Sequence, residues 1–175
     1  NELNLVVLSA MSGTTNSLAE IASLLFNGDI DGAQRDIECL KSKYIKVADK
    51  LYLSAKSIEE AKKFILCSFS SLQTISPISS KQEKIILSQG ELLITRLMHI
   101  YLKEIGIVSV LHNRLFITQG YICRNVSGEI DNLQRGGSDY TASLLGSALN
   151  ACEIQIWTDI DGLHNNDPRV VSTTA

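Results

Sequence analysis

Leu5-Val6-Val7-Leu8 is an unbroken apolar run that ends at Ser9 and passes through a small-residue turn, Ser9-Ala-Met-Ser-Gly-Thr-Thr-Asn16, into a helical pattern. A run this short and this continuous suits a strand covered on both faces, the situation in parallel sheets. Leu18, Ile21, Leu24 and Leu25 then recur at helical spacing, so the unit reads strand, turn, helix. A chain that begins this way needs helices layered on a sheet.

The pattern further along supports that reading. From Ile30, the positions Ala33, Ile37, Leu40, Tyr44, Val47 and Leu51 step by three and four, which predicts one long amphipathic helix. Ser57 and Glu60 carry capping-box spacing for a partner helix whose apolar face is Ile58, Ala61, Phe64, Ile65 and Leu72. Serines and Pro77 mark a loop from Ser68 to Gln82, and a helix is expected from about Ser88 to Glu104. Ile107 to Leu111, Leu115 to Thr118 and Ile154 to Trp157 read as strands, Gly128 to Gly137 as turn-rich, and Ser138 to about Asn150 as a helix. Alternating strands and helices with a helical excursion between them predict an α/β fold with a mainly parallel sheet, whose ligands gather beyond the strands' carboxyl ends.

Charge and composition remove several functions. With 175 residues, 45% hydrophobic and 20% charged, the chain reads as one domain with a real core. A net charge of -3 leaves no positive field for nucleic acid or an anionic membrane. Cys39, Cys67, Cys123 and Cys152 are scattered, without zinc spacing, and read as reduced, mostly buried thiols. His99, His112 and His164 share no metal-ligand spacing, no Walker A pattern occurs, and no basic segment leads an apolar run. The cytoplasm is the expected location.

Four segments could carry chemistry. In Arg135-Gly-Gly-Ser-Asp139, two glycines and a helix start can cradle an anion, Arg135 can fork onto a carboxylate, and Asp139 can accept from an ammonium group. The plainer alternative is a glycine turn with Ser138 or Asp139 as N-cap. Ser88-Gln-Gly-Glu91 has capping-box spacing; alternatively, Gly90 admits a ligand and Glu91 binds its amino group. Trp157-Thr-Asp-Ile-Asp-Gly162 with Asp167-Pro-Arg169 suits either a nucleotide whose phosphates carry Mg²⁺ or ordinary turns. The Ser9 to Asn16 turn is the fourth.

Taken together and in this order, these four motifs resemble the aspartate kinases of the amino-acid kinase superfamily, a likeness that spans nearly the whole chain. The resemblance implies a three-layer α/β/α sandwich of the amino-acid kinase or carbamate kinase type. It implies ATP-dependent phosphorylation of the L-aspartate side chain to 4-phospho-L-aspartate, the first step of lysine, threonine and methionine synthesis. Under it, Thr15, Glu91, Tyr121, Arg135, Ser138 and Asp139 line the aspartate pocket, with Arg135 and Asp139 central to catalysis. Ser9, Thr158, Asp159, His164 and Arg169 fall on the nucleotide side, Mg²⁺ is bound through nucleotide phosphates, and no side chain is assigned as a direct metal ligand. A homo-oligomer is also implied.

The resemblance further places a Lys-Phe-Gly-Gly segment ahead of Asn1, with an ATP-side lysine and regulatory ACT domains beyond Ala175. Residues 1–175 are therefore expected to be a partial catalytic domain, inactive alone. Gln134 stands where the family has a glycine and His164 where a tyrosine is common, neither removing a charge. The stretch near Leu111-His112 is shorter than the family pattern. Two other readings stay open: the same fold with glutamate, acetylglutamate or a nucleoside monophosphate as acceptor, and a non-catalytic ligand-binding module.

Overall fold

The computed structural model describes residues 4–73, 79–107, 115–134 and 136–158. Strand β1 (Asn4–Leu8) pairs in parallel with β2 (Leu115–Gln119), Leu5 opposite Phe116 and Val7 opposite Thr118. Between them run four helices, α1 (Thr14–Phe26), α2 (Ile30–Leu51), α3 (Ala55–Gln73) and α4 (Ser80–Glu104). After β2 comes an antiparallel hairpin, β3 (Ile122–Arg124) with β4 (Ile130–Asn132), and then α5 (Gly137–Ala148). Helix α4 packs on both β1 and β2, and α5 packs on β1.

The core lies among the four long helices. Leu18, Ile21, Ala33, Ile37, Tyr44, Ala61, Ile65, Phe69, Ile86, Leu93 and Leu97 belong to one buried cluster. These are the three-and-four-spaced positions of each helix, so the apolar stripes meet as the sequence pattern requires. The Tyr44 and Phe69 rings tilt against each other with centroids 5.9 Å apart, within the range of favourable aromatic pairs. Buried Tyr52 donates its hydroxyl to the Leu97 carbonyl at 2.8 Å, so its polar end is satisfied inside the bundle.

Several boundaries differ from the sequence reading. Helix α4 starts two turns earlier than Ser88, because Ser79 and Gln82 form a capping box: the Ser79 N–H donates to Gln82 Oε1 at 2.7 Å. The expected loop from Ser68 to Gln82 is correspondingly shorter, as α3 runs to Gln73. The Ser57–Glu60 box is not formed. Ser54 Oγ instead accepts the Ser57 N–H at 3.1 Å, and Glu60 bridges to Arg96 at 3.0 Å and Lys103 at 3.5 Å on α4.

The edge elements differ too. Ile107 closes the end of α4, donating its N–H to the Leu102 carbonyl at 2.8 Å beside Gly106 at φ 77°; residues 108–111 lie outside those described. Ile154 to Trp157 pairs with no strand among the described residues, and its apolar side chains are exposed. Leu5 and Val6 of β1 are exposed as well, so coverage of both strand faces is not found among the described residues. Cys39, Cys67 and Cys152 are exposed and Cys123 half-buried, which corrects the buried-thiol reading: Cys39 and Cys67 fall between the apolar positions of α2 and α3.

Helix α4 also anchors the α2–α3 turn. Glu104 accepts the backbone N–H groups of Leu53 at 3.1 Å and Ser54 at 2.8 Å. Hydrogen bonds from the Ser54 side chain and then its backbone pull the Glu104 carboxyl down to about 2. A carboxyl depressed in the folded state contributes stability above its unfolded value and loses it as pH falls through the folded one. Acid unfolding should therefore steepen between pH ~4.5 and ~2, and Glu104→Gln should flatten that window in a pH-resolved melting series.

Candidate functional site

Strand β1 delivers the chain to the Ser9–Gly13 turn, and Gly13 at φ 78° is the left-handed residue that lets α1 start at Thr14. The Thr14 N–H closes the turn on the Met11 carbonyl at 2.9 Å. Against this turn lies the middle of α4. A Cβ on Gly90 would fall 2.8 Å from the Ala10 Cβ and 3.1 Å from Thr14 Cγ2, so only glycine lets helix and turn approach this closely.

The next residue, Glu91, is only 2% exposed. Its Oε1 accepts the Ala10 N–H at 3.4 Å, while Oε2 is buried and accepts no hydrogen bond. Burial pushes its carboxyl above the usual range, an effect partly offset by the backbone N–H groups of Glu91 and Ala10. The capping-box reading of Ser88 and Glu91 thus fails: Ser88 lies inside α4, donates its hydroxyl to the Ile85 carbonyl at 2.8 Å, and leaves Glu91 facing the β1–α1 turn.

Beyond β2, Gly120 donates its N–H to the Leu8 carbonyl at 2.9 Å, and the chain bends through Tyr121, which sits at φ 65°. A side chain held in the left-handed region is strained, and here its neighbours hold it. The Tyr121 N–H donates to Thr141 Oγ1 at 3.2 Å, and its carbonyl accepts from the Leu133 N–H at 2.7 Å. Burial raises the Tyr121 hydroxyl first, and the Glu91 charge raises it further. Tyr121 thus lies within electrostatic reach of Glu91.

Helix α5 begins with the diglycine turn. Gly136, at φ 79°, occupies the N-cap position and leaves the first amides of the helix without a side-chain cap. Gly120 packs so close that its Cβ would lie 2.6 Å from Ser138 Cα, and a Cβ on Gly137 would meet Tyr121 Cδ2 at 3.1 Å. Ser138 is half-buried and Asp139 exposed in the first turn. The beginning of α5 packs on the β2–β3 bend, the bend bonds to the end of β1, and Glu91 meets the β1–α1 turn from the middle of α4.

Of the residues singled out in the sequence, Thr15 lies half-buried in the first turn of α1 and Ser9 exposed at the end of β1. Thr158 is exposed at the end of the segment following α5. Arg135, Asp159, His164 and Arg169 lie outside the described residues. Tyr44 and Lys43 of α2 also reach this site; the place of Tyr44 in the helical stripe and of Lys43 on the exposed side gave no sign of it. The Tyr44 hydroxyl shares a hydrogen bond with Thr14 Oγ1 at 3.1 Å, and Lys43 Nζ donates to the Ser12 carbonyl at 2.7 Å.

Chemically, the arrangement offers a buried carboxyl with one oxygen that accepts no hydrogen bond and a helix start without a side-chain cap.

Residues 2–175 match the amino acid kinase family, and the chain belongs to it. It is 29% identical to the lysine-sensitive aspartokinase 3 of Escherichia coli K12, over 97% of this chain and 45% of that protein. It is 30% identical to an aspartate kinase of Pseudomonas fluorescens SBW25, over 95% of this chain and 37% of that one. The chain thus spans half or less of the length of these relatives.

Among solved structures, E. coli aspartokinase III in complex with aspartate and ADP in the R-state superposes with a TM-score of 0.74 at 28% identity, over 98% of this chain and 46% of that one. The lysine- and aspartate-bound T-state gives 0.58 at 27% identity, with the same coverage. The fold is the amino-acid kinase α/β/α sandwich. No helix among the described residues is long and apolar enough to cross a membrane.

Proposed function

We propose that residues 1–175 form the substrate-binding part of an aspartate kinase catalytic domain, in which ATP phosphorylates the L-aspartate side chain. The observation that carries this reading is Glu91, a carboxylate enclosed by protein with one oxygen unused. Burying a charge without a partner is costly, and an ammonium group at Oε2 would remove that cost.

Glu91 and Asp139 orient the aspartate ammonium, Arg135 forks onto its α-carboxylate, and Thr15, Tyr121 and Ser138 line the pocket between them. This leaves the side-chain carboxylate directed at the nucleotide. One of its oxygens forms a bond to the γ-phosphorus while the bond from that phosphorus to the β–γ bridging oxygen breaks, and ADP leaves with the electron pair. The carboxylate is already a nucleophile, so these residues contribute by alignment rather than as a base. Ser9, Thr158, Asp159, His164 and Arg169 are assigned to the nucleotide. The exposed hydroxyls of Ser9 and Thr158 suit phosphate or its hydrated Mg²⁺, which would neutralise phosphate charge when bound. We place the protein in the cytoplasm with its ATP pool, and read it as a homo-oligomer on the resemblance alone.

Calorimetric titration of this chain with aspartate, glutamate, acetylglutamate and Mg-ADP tests the reading. Aspartate should bind at least about tenfold more tightly than either larger acid, because a pocket gripping both ends of one amino acid tolerates an extra methylene poorly. Preference for glutamate or acetylglutamate would transfer the site to another acceptor, and binding of none would refute it.

A further inference from the structure

Two neighbouring residues of α2 reach the β1–α1 turn, one on each side of Gly13. Resting on the aspartate reading above, we propose that Tyr44, supported by Lys43, is a positioning residue of the substrate site, holding through Thr14 the turn that faces Glu91.

Tyr44 is 0% exposed and occupies a stripe position that packing alone would fill with leucine or phenylalanine. A hydroxyl placed there costs free energy unless it is paired. Its partner, Thr14 Oγ1, is also fully buried, and the Tyr44–Thr14 hydrogen bond ties α2 to the first residue of α1. Thr14 meets three structures at once: its hydroxyl takes Tyr44, its methyl group faces Gly90 on α4, and its N–H closes the turn on Met11. From the other side, Lys43 holds the Ser12 carbonyl.

The turn pinned this way supplies the Ala10 N–H to Glu91 Oε1 and leads directly into Thr15. If Thr14 shifted, the turn would slide over Gly90 and carry Ala10 off the carboxylate. Burial first raises the Tyr44 hydroxyl, the Thr14 hydrogen bond lowers it in part, and the nearby Glu91 charge raises it again, so it stays neutral in this bond. Being fully enclosed, Tyr44 acts on the ligand only through the turn.

The test uses Tyr44→Phe, Thr14→Val, the double variant and Lys43→Met. Each is measured for aspartate and Mg-ADP affinity and for amide exchange along the chain. Tyr44→Phe should weaken aspartate about tenfold, the equivalent of one buried hydrogen bond, and leave Mg-ADP within about twofold. Exchange should quicken across residues 9–15 but not in the β3–β4 hairpin, with Lys43→Met showing a smaller effect of the same pattern. The double variant should be no weaker than the worse single variant, because both remove one bond.

Additive losses, or a lower melting temperature with aspartate affinity and turn exchange unchanged, would make Tyr44 an ordinary core residue and overturn the proposal. If the unsubstituted chain binds no aspartate while exchange follows the predicted pattern, the substrate reading fails and the clamp on the turn stands. Unchanged exchange sinks the clamp whatever the ligand does.

Discussion

Glu91→Gln is expected to raise the melting temperature of this protein while removing most of its affinity for aspartate. The wild-type fold encloses an acidic side chain that is 2% exposed with one oxygen unpartnered. Glutamine keeps the shape and an acceptor for the Ala10 N–H but carries no charge, and relieving a strained functional site in this way gains on the order of 1 kcal/mol. The ligand loses a buried charge-assisted bond worth roughly 1.5–3 kcal/mol, a ~10- to 150-fold loss of affinity.

Because the Glu91 carboxyl is raised in the folded state, the wild type is relatively most stable below the unfolded value and loses that contribution as pH rises through the folded one. The stability gap between variant and wild type should therefore open with rising pH. Wild-type aspartate affinity should fall as pH drops through the same folded value. Melting curves and calorimetry at several pH values check both; a variant that is less stable at neutral pH would contradict the account of the buried charge.

Gly120→Ala should cost about 1–3 kcal/mol and weaken aspartate binding, because the added carbon overpacks the junction of the β2–β3 bend and α5. It would stand 2.6 Å from Ser138 Cα and 2.7 Å from both Cβ and Oγ, so the start of α5 must move rather than a flexible side-chain tip. That movement displaces the diglycine turn and Ser138 from Tyr121. Gly128→Ala is the control: at φ +76° with nothing within 4 Å, it carries only the left-handed penalty of about 1–2 kcal/mol. Denaturant melts should show both variants destabilised, and only Gly120→Ala should lose aspartate affinity.

The sequence revealed elements wherever burial imposes one period over a long stretch. The stripe from Ala33 to Leu51 predicted α2, and the apolar run before Ser9 predicted β1. It misplaced the start of α4 because serines on both sides of Pro77 read as loop, although Ser79 and Gln82 form a cap. Strand β4 escaped notice because three residues are too few to show alternation.

At the site, Ser88 and Glu91 have the spacing of a helix cap and of a ligand contact alike. Only the earlier start of α4, which puts Ser88 mid-helix, decides between them. Tyr44 was visible as a core position, but a hydroxyl's partner is set by the approach of another helix and leaves no trace in local spacing. The glycines at 90, 120 and 137 likewise owe their places to what packs against them.

The most direct test of the central claim, that Glu91 receives the substrate's ammonium group, is the ratio of aspartate to succinate affinity in wild type and Glu91→Gln. Succinate lacks only the amino group, so wild type should prefer aspartate by at least about tenfold, whereas the variant should bind the two within about twofold. A variant that keeps the wild-type preference would show that the ammonium is held elsewhere, and would contradict the account.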